Sequence, residues 1–304
     1  MGAGGPGGPG PAGGAALRVG RPWVRGTVGT TCRLCPGRDA YNGGVAGPRI
    51  VVLASGSAGN AVWLEAGGTA VLVDAGLSAE ALLRRMAGAG CSPHALAAVL
   101  LTHEHDDHAR GAAALARALG APVLANEATL RACGLDGGVP SERITNLQPF
   151  QVGPWTVEAV PVPHDAADPV AFVLEAAGTR VAVATDLGDV GEALVERAFG
   201  CDVVLLEANY DLRLLGVSPY PWFVKNRILG RYGHLSNDGA AAAAVRLHAG
   251  RPQRFVLLHV SEVNNLAPLA RDVVVGALER HGVAAEVQVV RPNQGSEVPL
   301  AGRR

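Results

Sequence analysis

The chain has 304 residues, of which 48% are hydrophobic and 17% are charged, and its 26 basic and 27 acidic side chains give a net charge of −1. This much apolar material excludes a wholly disordered chain, and the charge balance excludes a generically basic nucleic-acid-binding protein. No apolar run reaches the roughly 20 residues of a membrane span, and the N-terminus lacks the apolar core of a secretory signal, so we expect a cytoplasmic protein without a membrane partner.

The first 48 residues differ in composition from the rest. They hold 15 of the 41 glycines and show neither helical nor alternating apolar periodicity. Such a segment buries too little surface to offset its ordering entropy, so we predict a flexible Gly/Pro-rich N-terminal segment over residues 1–48 and one folded domain over residues 49–304. Cys32 and Cys35 form a CxxC pair there, but a zinc site of this kind needs further ligands, and we assign these two thiols no function.

From residue 49 onward, short β-prone runs alternate with helical patterns. The predicted strands cover residues 50–53, 61–65, 70–74, 97–101, 155–162, 170–175, 180–185, 203–206, 255–258 and 286–290. The predicted helices cover residues 79–86, 109–119, 192–198, 237–248 and 268–281, and Ser78 and Ser236 are the N-caps of the first and the fourth. Two sheets packed face to face with helices outside accommodate this order, which is an α/β fold.

The strongest chemical signal directly follows the predicted strand 97–101. Residues 103–108 (HEHDDH) place three imidazoles and three carboxylates within six positions. Imidazole nitrogen and carboxylate oxygen suit divalent ions such as Zn²⁺, Mn²⁺ or Fe²⁺. At the end of a strand, His103 and His105 can point one way while Asp107 and His108 turn toward a second position. One ion would be crowded by all four side chains, so the spacing predicts two divalent metal ions.

Three further candidate ligands stand at the ends of other apolar runs. His164 follows residues 160–163, Asp186 follows residues 181–185 and His259 follows residues 255–258. Each of them alone is more often a surface polar residue at the start of a loop. Their common placement at strand ends favours a shared site with the cluster at residues 103–108.

This pattern resembles the metallo-β-lactamase superfamily. The resemblance rests on Asp74 in residues 72–76 (LVDAG), on the HxHxDH stretch, and on His164, Asp186 and His259 in that order, and it spans residues 50–290. It implies a four-layer αββα sandwich with a dinuclear site at one edge of the two sheets. It also implies that Asp74 orients the cluster from behind the metal ligands, whereas Asp74 taken alone is typical of a plain turn.

The resemblance further implies which residue binds which ion. The implied ligands form two sets and one bridge: His103, His105 and His164 for one ion, Asp107, His108 and His259 for the other, and Asp186 between them.

Five more segments are similar to the WalJ/YycJ-like branch of this superfamily. They are residues 53–60 (LASGSAGN), 206–211 (LEANYD), 220–229 (YPWFVKNRIL), 233–237 (GHLSN) and 259–265 (HVSEVNN). This branch implies a 5′-to-3′ DNA exonuclease. The run from His234 through an Ala-rich helix to His259 is also similar to the end of ribonuclease Z, another phosphodiesterase.

The candidate catalytic residues are Asp107, His234 and Glu207. His234 precedes a predicted helix N-terminus, which can face an anion. We expect His234 to bind the scissile phosphate or to protonate the leaving oxygen, with Glu207 holding its other ring nitrogen. The alternative for His234 is a neighbour of the helix cap with no chemical role.

Substrate contacts are expected from a Gly/Ser loop, from a helix start and from a basic segment. Residues 213–231 contain basic but no acidic side chains, with aromatic residues interleaved, so they can neutralise phosphates and stack on a base. The alternative is a surface hairpin whose Trp222 and Phe223 pack on the core. The expected contacts are Ser55, Ser57, Asn60, Lys225, Arg227, Arg231, Ser236 and Asn237.

Together these features predict a dinuclear metal-dependent phosphodiesterase that hydrolyses nucleic acid, with a DNA exonuclease favoured. An RNA-processing nuclease or a small phosphodiester hydrolase of the same fold is the alternative, because no residue separates deoxyribose from ribose. A non-catalytic binding protein that keeps the fold is disfavoured, because all seven candidate ligands are present. The sequence leaves the oligomeric state open.

Overall fold

A computed structural model describes residues 1–2, 47–135, 137–251, 253–292 and 294–300. Within these ranges the strands are β1 (Arg49–Ala54), β2 (Ala61–Ala66), β3 (Thr69–Val73), β4 (Leu96–Leu100), β5 (Val123–Ala125), β6 (Ser141–Arg143), β7 (Phe150–Val152), β8 (Trp155–Pro161), β9 (Val170–Ala176), β10 (Thr179–Ala184), β11 (Val203–Glu207), β12 (Gln253–Leu258), β13 (Ala285–Val289) and β14 (Ser296–Val298). The α-helices are α1 (Ala79–Gly88), α2 (Asp106–Ala109), α3 (Ala112–Leu119), α4 (Glu127–Ala132), α5 (Glu192–Ala198), α6 (Leu212–Val217), α7 (Trp222–Leu229), α8 (Asn237–Leu247) and α9 (Ala267–Arg280).

The chain divides into two units, Met1–Gly44 and Val45–Arg304, and these strands and helices belong to the second. The flexible segment predicted for residues 1–48 falls almost wholly on residues 3–46, which lie outside the described residues, as does the Cys32–Cys35 pair. In the part of the chain that the structure describes, every helix is too short or too polar to cross a bilayer.

The strands form two seven-stranded sheets. The first sheet has the order β14-β1-β2-β3-β4-β5-β6, and the second has the order β13-β12-β11-β10-β9-β8-β7. The run from β3 to β6 is parallel, and so is the run from β10 to β13, whereas the other neighbours are antiparallel. Parallel strands end at the same edge of a sheet, so the residues that follow them collect there, and open α/β sheets bind ligands at such edges.

Three hydrophobic clusters define the layers. Alternate residues of a strand point to opposite faces, and Ile50 and Val52 of β1 therefore pack with Phe172 of β9 between the two sheets. On the other face of the same strand, Val51 packs with Leu82 of α1. A third cluster joins the second sheet to α5, α8 and α9. Helix, sheet, sheet and helix thus form four layers, and the predicted αββα sandwich is confirmed.

Each predicted strand and helix has an observed counterpart, but the sequence patterns do not predict the short elements β5, α4, β6, β7 and β14. Near the site the prediction differs from the structure in two further ways. The predicted helix 109–119 is divided into α2 and α3, and the segment that carries Trp222 and Phe223 forms the helices α6 and α7 rather than a hairpin. Both predicted caps are present, because Ser78 accepts a hydrogen bond from the backbone of Ala81 and Ser236 accepts one from Gly239.

Candidate metal centre

The side chains predicted as metal ligands meet at one edge of the two sheets. The HEHDDH stretch follows β4 in the first sheet, and His164, Asp186 and His259 follow β8, β10 and β12 in the second. Potential ligand atoms lie within 4.8 Å of one another in the groups His103/His105/His164, Asp107/His108/His259, His103/His108/Asp186 and Asp186/Glu207/His234/His259. The first two groups are the two sets expected from the sequence.

Asp186 lies between these two sets. Its Oδ2 is 2.9 Å from Nε2 of His108, and its Oδ1 is 3.8 Å from Nε2 of His164. A carboxylate in this position faces one histidine of each set. Its geometry is therefore suited to bridging two ions.

Backbone strain is concentrated at the strand ends that form the centre. Asp74, Asp186 and His259 have φ values of 62°, 56° and 52°, in the left-handed region that residues other than glycine rarely adopt. Each such residue costs on the order of 1–3 kcal/mol, and strain of this kind is typical of functional sites. The strained backbone turns each side chain sharply at the point where its strand ends.

Asp74 holds His108 from behind. Its Oδ2 is 2.7 Å from Nδ1 of His108, and its Oδ1 accepts a hydrogen bond of 2.9 Å from the backbone N–H of Thr102. A carboxylate accepts, so Nδ1 of His108 carries the proton and Nε2 is left to face Asp186. The hydroxyl of Thr102 lies 2.9 Å from Nδ1 of His103 and extends the network to a second histidine.

Two other histidines have the same arrangement. Nδ1 of His164 donates to the carbonyl oxygen of Gly233 over 2.9 Å, and Nδ1 of His259 donates to Oε1 of Glu207 over 2.8 Å. In both rings Nε2 is buried and has no hydrogen-bond partner among the described residues. Buried polar atoms are normally paired, and a metal-binding imidazole commonly donates its other N–H to an oxygen. The donor set and these two unpaired nitrogens fit divalent cations.

Glu207 is fully buried at the end of β11 and links two imidazoles. Its Oε1 is 2.8 Å from Nδ1 of both His234 and His259, and its Oε2 accepts from the backbone N–H groups of Leu187 and Leu235. Burial raises the pKa of Glu207, but the charge of His234 and the hydrogen bonds from His234 and His259 outweigh it and lower the pKa to about 2. Glu207 is thus an anion at neutral pH, and its contact with Nδ1 of His234 leaves Nε2 of that ring free of Glu207.

The pKa values of other side chains in the centre are also shifted by burial and by neighbouring charges. Burial raises the pKa of Asp186, but His259 and His108 lower it well below its usual range, so this carboxylate stays ionised. Burial, reinforced by the neighbouring imidazole of His108, lowers the pKa of His103 well below its usual value. Burial lowers the pKa values of His259 and His108, but the carboxylate of Asp186 outweighs it and raises the pKa of His259 to about 10 and that of His108 well above its usual value. These two imidazoles therefore carry an extra proton when no ion is bound, and metal binding, which requires the neutral imidazole, would displace it.

The centre opens into a cavity of about 230 Å³. Its wall is formed by Ser57, by candidate ligands and by one face of α7; the lining residues are Ser57, His105, Asp107, His164, Asp186, Val224, Arg227, Ile228, Tyr232, Gly233, His234 and His259. His234 lines this cavity with a side chain that is 24% exposed, so it can reach a bound molecule. A larger cavity of about 500 Å³ lies beside α1 and contains none of these groups.

Four residues expected to contact substrate have structural partners instead. Asn60 is buried, accepts a hydrogen bond from Gly56 and lies 3.0 Å from Nε2 of His108. Asn237 is buried and exchanges hydrogen bonds with Asn265. Because both amides are enclosed by protein, their positions do not support a substrate role.

The other two such residues are serines. Ser55 is buried, and its hydroxyl accepts a hydrogen bond of 2.8 Å from the backbone of His259. Ser236 is occupied as the cap of α8. Ser57, in contrast, lines the cavity.

The basic residues expected to contact substrate lie on or just after α7. Arg227 lines the cavity and forms an ion pair of 2.9 Å with Asp165, and Nζ of Lys225 donates to the carbonyl oxygen of Gly216. Arg231 has an exposed side chain. Of these three residues, Arg227 is the one that lines the cavity.

Sequence reasoning missed three residues that contact the site. Thr102 joins Asp74 to His103, and Asn209 donates a hydrogen bond of 3.0 Å to the carbonyl oxygen of His259. Tyr232 lines the cavity and is 59% exposed. Only Tyr232 had a usable signal, since it follows Arg231 at the end of the basic and aromatic segment.

Fold and site together define a family. The family model described as the beta-lactamase superfamily domain matches residues 69–260, which include every candidate ligand. The chain belongs to this superfamily.

Two relatives and one solved structure are similar to this chain over most of its length. The chain is 35% identical over 242 residues to exodeoxyribonuclease YycJ of Bacillus anthracis, covering 78% of this chain and 91% of that protein. It is 33% identical over 262 residues to exodeoxyribonuclease WalJ of Streptococcus pneumoniae, covering 84% and 97%. Among solved structures, the metallo-beta-lactamase fold protein YhfI of Bacillus subtilis matches with a TM-score of 0.64 and 17% identity, covering 83% of this chain and all of that one. The last likeness establishes the fold alone.

Proposed function

We propose that this protein is a metal-dependent nuclease that hydrolyses the phosphodiester bonds of DNA, and that residues 49–304 form its catalytic domain. The observation that carries the proposal is the meeting of seven ligand-type side chains from both sheets at one place, where five of them line a cavity. The names of the two relatives support DNA as the substrate. The 5′-to-3′ direction is carried over from the resemblance to the same branch.

The mixed nitrogen and oxygen ligands fit two divalent ions. Zn²⁺ and Mn²⁺ are the first candidates, and Fe²⁺ is the third. We assign His103, His105 and His164 to one ion and Asp107, His108 and His259 to the other, with Asp186 between them. Such a pair would supply Lewis acidity toward phosphate oxygens, would lower the pKa of water toward neutrality, and with its formal charge of +4 would offset the negative charge of the surrounding carboxylates.

The residues of the chain then bind and orient the substrate. His234 faces the cavity while Glu207 fixes its Nδ1, so its Nε2 is the atom that binds the scissile phosphate or gives a proton to the leaving oxygen. Arg227 and Ser57 line the same cavity and provide donors for phosphate oxygens, and Arg231 extends the positive surface.

The test is digestion of end-labelled DNA by the full-length protein with Mn²⁺, with Zn²⁺ and with a chelator. We expect mononucleotides to be released from the 5′ end in the presence of metal and no release with the chelator. Release from the 3′ end would contradict the direction but not the chemistry. Cleavage that continues at full rate with the chelator would contradict the proposal.

Two matched comparisons separate the remaining alternatives. Duplexes of identical sequence in DNA and RNA, each with 5′-phosphate ends, test the sugar, and a strong preference for RNA would replace a DNA nuclease with an RNA-processing one. Metal analysis after reconstitution tests for a non-catalytic protein. Fewer than about one ion per chain, in a protein that cleaves neither polymer, would favour that class over an enzyme with two ions.

A further inference from the structure

One carboxylate of the HEHDDH stretch has no role in the centre as described so far. Asp107 belongs to a candidate ligand set, and Asp106 is exposed and pairs with an arginine one turn along. Glu104 lies between the candidate ligands His103 and His105, yet it belongs to none of the groups of potential ligand atoms found among the described residues. Its contacts point to a different task, which is to hold a neighbouring loop.

Glu104 contacts the loop that carries the third histidine of its own ligand set. This loop joins β8 to β9 and contains His164. Oε1 of Glu104 accepts a hydrogen bond of 2.8 Å from the backbone N–H of Ala167. Within the loop, the backbone N–H of Ala166 donates to the carbonyl oxygen of His164 over 3.0 Å. Two hydrogen bonds and the peptide unit between the two alanines therefore connect Glu104 to the backbone of His164.

The three histidines of this set are mutual neighbours. The ring centroids of His103 and His105 are 4.6 Å apart, and the ring of His164 lies 5.1 Å from the first and 5.2 Å from the second. Bonds from zinc to imidazole nitrogen are about 2.0–2.1 Å long, and a functional site needs its groups held within about 0.5 Å of the productive geometry. A small displacement of the loop would therefore take His164 out of reach of an ion held by the other two.

The first sheet holds the same loop at two more points. The backbone N–H of Val170 donates to the carbonyl oxygen of Thr102 over 3.0 Å, and the side-chain amide of Asn126 donates to the carbonyl oxygen of Asp168 over 2.6 Å. Both contacts lie four or more residues beyond the histidine of the loop, whereas the contact of the glutamate lies three residues beyond it. Because these two anchors remain when the glutamate is replaced, its loss should displace the histidine without releasing the whole loop.

We propose that Glu104 is a positioning residue that holds the loop between β8 and β9, so that His164 completes the ligand set with the two histidines that flank Glu104. The glutamate acts through its hydrogen bond to Ala167 and not through its charge. This inference rests on the metal centre of the proposed function and adds a residue that is not itself one of the candidate ligands.

Two substitutions separate the hydrogen bond of Glu104 from its charge. Oε2 of Glu104 is buried and has no hydrogen-bond partner among the described residues. Glu104→Gln therefore keeps an oxygen that can accept from Ala167 and replaces an oxygen that has no hydrogen bond to lose. Glu104→Asp keeps the charge, but its side chain is one methylene shorter and falls short of Ala167. A positioning role predicts a defect in the aspartate variant alone, whereas a role of the charge predicts a defect in the glutamine variant alone.

The first experiment titrates Zn²⁺ into the metal-free full-length protein and measures the affinity and the number of ions bound. We expect Glu104→Asp to weaken at least one binding step about ten-fold or more, as for other residues that support a metal ligand, and Glu104→Gln to bind like the wild type. Glu80→Ala is the control, because Glu80 is exposed on α1 and pairs only with Arg84, and it should also bind like the wild type. Wild-type affinity in Glu104→Asp, or an equal loss in Glu104→Gln, would overturn the inference.

The second experiment asks whether Glu104 acts through His164. Residues that act through one another have effects that do not add, and a double-mutant cycle measures this. His164→Ala removes the ligand, so adding Glu104→Asp to it should weaken Zn²⁺ binding no further. A further loss of about ten-fold in the double variant would show that Glu104 acts on other ligands, and it would overturn the inference.

These outcomes keep the positioning role and the nuclease function apart. A wild type that binds Zn²⁺ with the expected dependence on Glu104 but cleaves no DNA would contradict the nuclease function and leave the positioning role standing. A wild type that binds two ions and cleaves DNA, beside a Glu104→Asp variant of unchanged affinity, would contradict the positioning role alone. A wild type that binds no ion would contradict both.

Discussion

Nδ1 of His108 lies 2.7 Å from Oδ2 of Asp74, although 34 residues separate them in the chain. This contact joins the residue that follows β3 to the helix α2, and both groups are almost fully buried. It fixes the protonated nitrogen of the imidazole and therefore determines which nitrogen faces the other candidate ligands.

Replacing Asp74 tests this contact. Asp74→Asn keeps the shape of the side chain but removes the negative charge that holds Nδ1–H. We expect the affinity for the divalent ion to fall about ten- to hundred-fold, as for other partners that hold a metal-binding histidine. Titration of the metal into metal-free protein measures this. An unchanged affinity would show that His108 needs no such support.

Neighbouring aspartates provide a matched test of the metal ligands. We expect Asp107→Asn to abolish turnover and to lower the metal content of the purified protein, while circular dichroism shows a folded chain. Asp106→Asn is the control, because the side chain of Asp106 is exposed and pairs only with Arg110 one turn along. An exposed pair of this kind contributes about 0–1 kcal/mol, so its loss should leave metal content and turnover near wild type. Equal effects of the two substitutions would contradict the ligand assignment.

His234 is expected to act on the substrate rather than on the ions. His234→Gln should lower kcat by about a hundred-fold or more, the usual size of a lost acid–base group, and leave the metal content intact. His94→Gln is the control, since His94 is exposed in a 3₁₀ helix away from the cavity. If His234→Gln lost an ion, the roles of His234 and His259 would have to be exchanged.

Gly76 allows the HEHDDH loop to approach β3 closely. A Cβ atom on Gly76 would lie 1.6 Å from the carbonyl oxygen of Asp107, so the backbone of one of the two segments would have to shift. We expect Gly76→Ala to lower the free energy of unfolding by about 1–3 kcal/mol or more and to reduce metal affinity as well.

The control for Gly76 is Gly88 at the end of α1, where an added Cβ atom meets nothing within 4 Å. Gly88→Ala should leave metal affinity unchanged and stabilise the helix by up to about 1 kcal/mol. Chemical denaturation and metal titration of the two variants give the comparison. Wild-type metal affinity in Gly76→Ala would show that the close approach does not matter.

The thiol of Cys133 should react slowly at moderately alkaline pH. Burial, reinforced by the carboxylate of Glu104, raises its pKa to about 11. The thiolate is the reactive form, so at pH 8 its fraction should be about a hundred-fold smaller in the folded chain than in the unfolded chain. Alkylation followed by peptide mass spectrometry should show a rate that rises about ten-fold per pH unit up to pH 10. A rate that levels off near pH 9 would contradict the raised pKa.

Much of the site could be predicted because its residues follow apolar strands. His164 and Asp186 are recognisable at strand ends, and parallel strands bring such residues together without any knowledge of side-chain contacts. Local pattern does not encode backbone conformation at single positions, so the left-handed φ of Asp186 and His259 was not foreseen. Nothing in the sequence shows that tertiary contacts hold a residue other than glycine in the left-handed conformation.

Polar residues near the site were harder to assign. Asn60 and Ser57 belong to one Gly/Ser loop and look equivalent in sequence, yet Asn60 is enclosed against His108 while Ser57 lines the cavity. The difference depends on the tertiary fold that surrounds the loop. Likewise, the helices around Trp222 were missed because Gly and Pro interrupt the pattern on which a helix prediction relies.

The candidate ligands come from both sheets, with Asp107 and His108 from one and Asp186 and His259 from the other. An ion held by all of them would act as a crosslink between the two halves of the sandwich. Ion binding would then stabilise the packing of the two sheets, and the packing of the sheets would in turn increase the affinity for the ion. A substitution at Phe172, which is buried between the sheets and is not itself a candidate ligand, would raise the metal concentration needed to fill the centre.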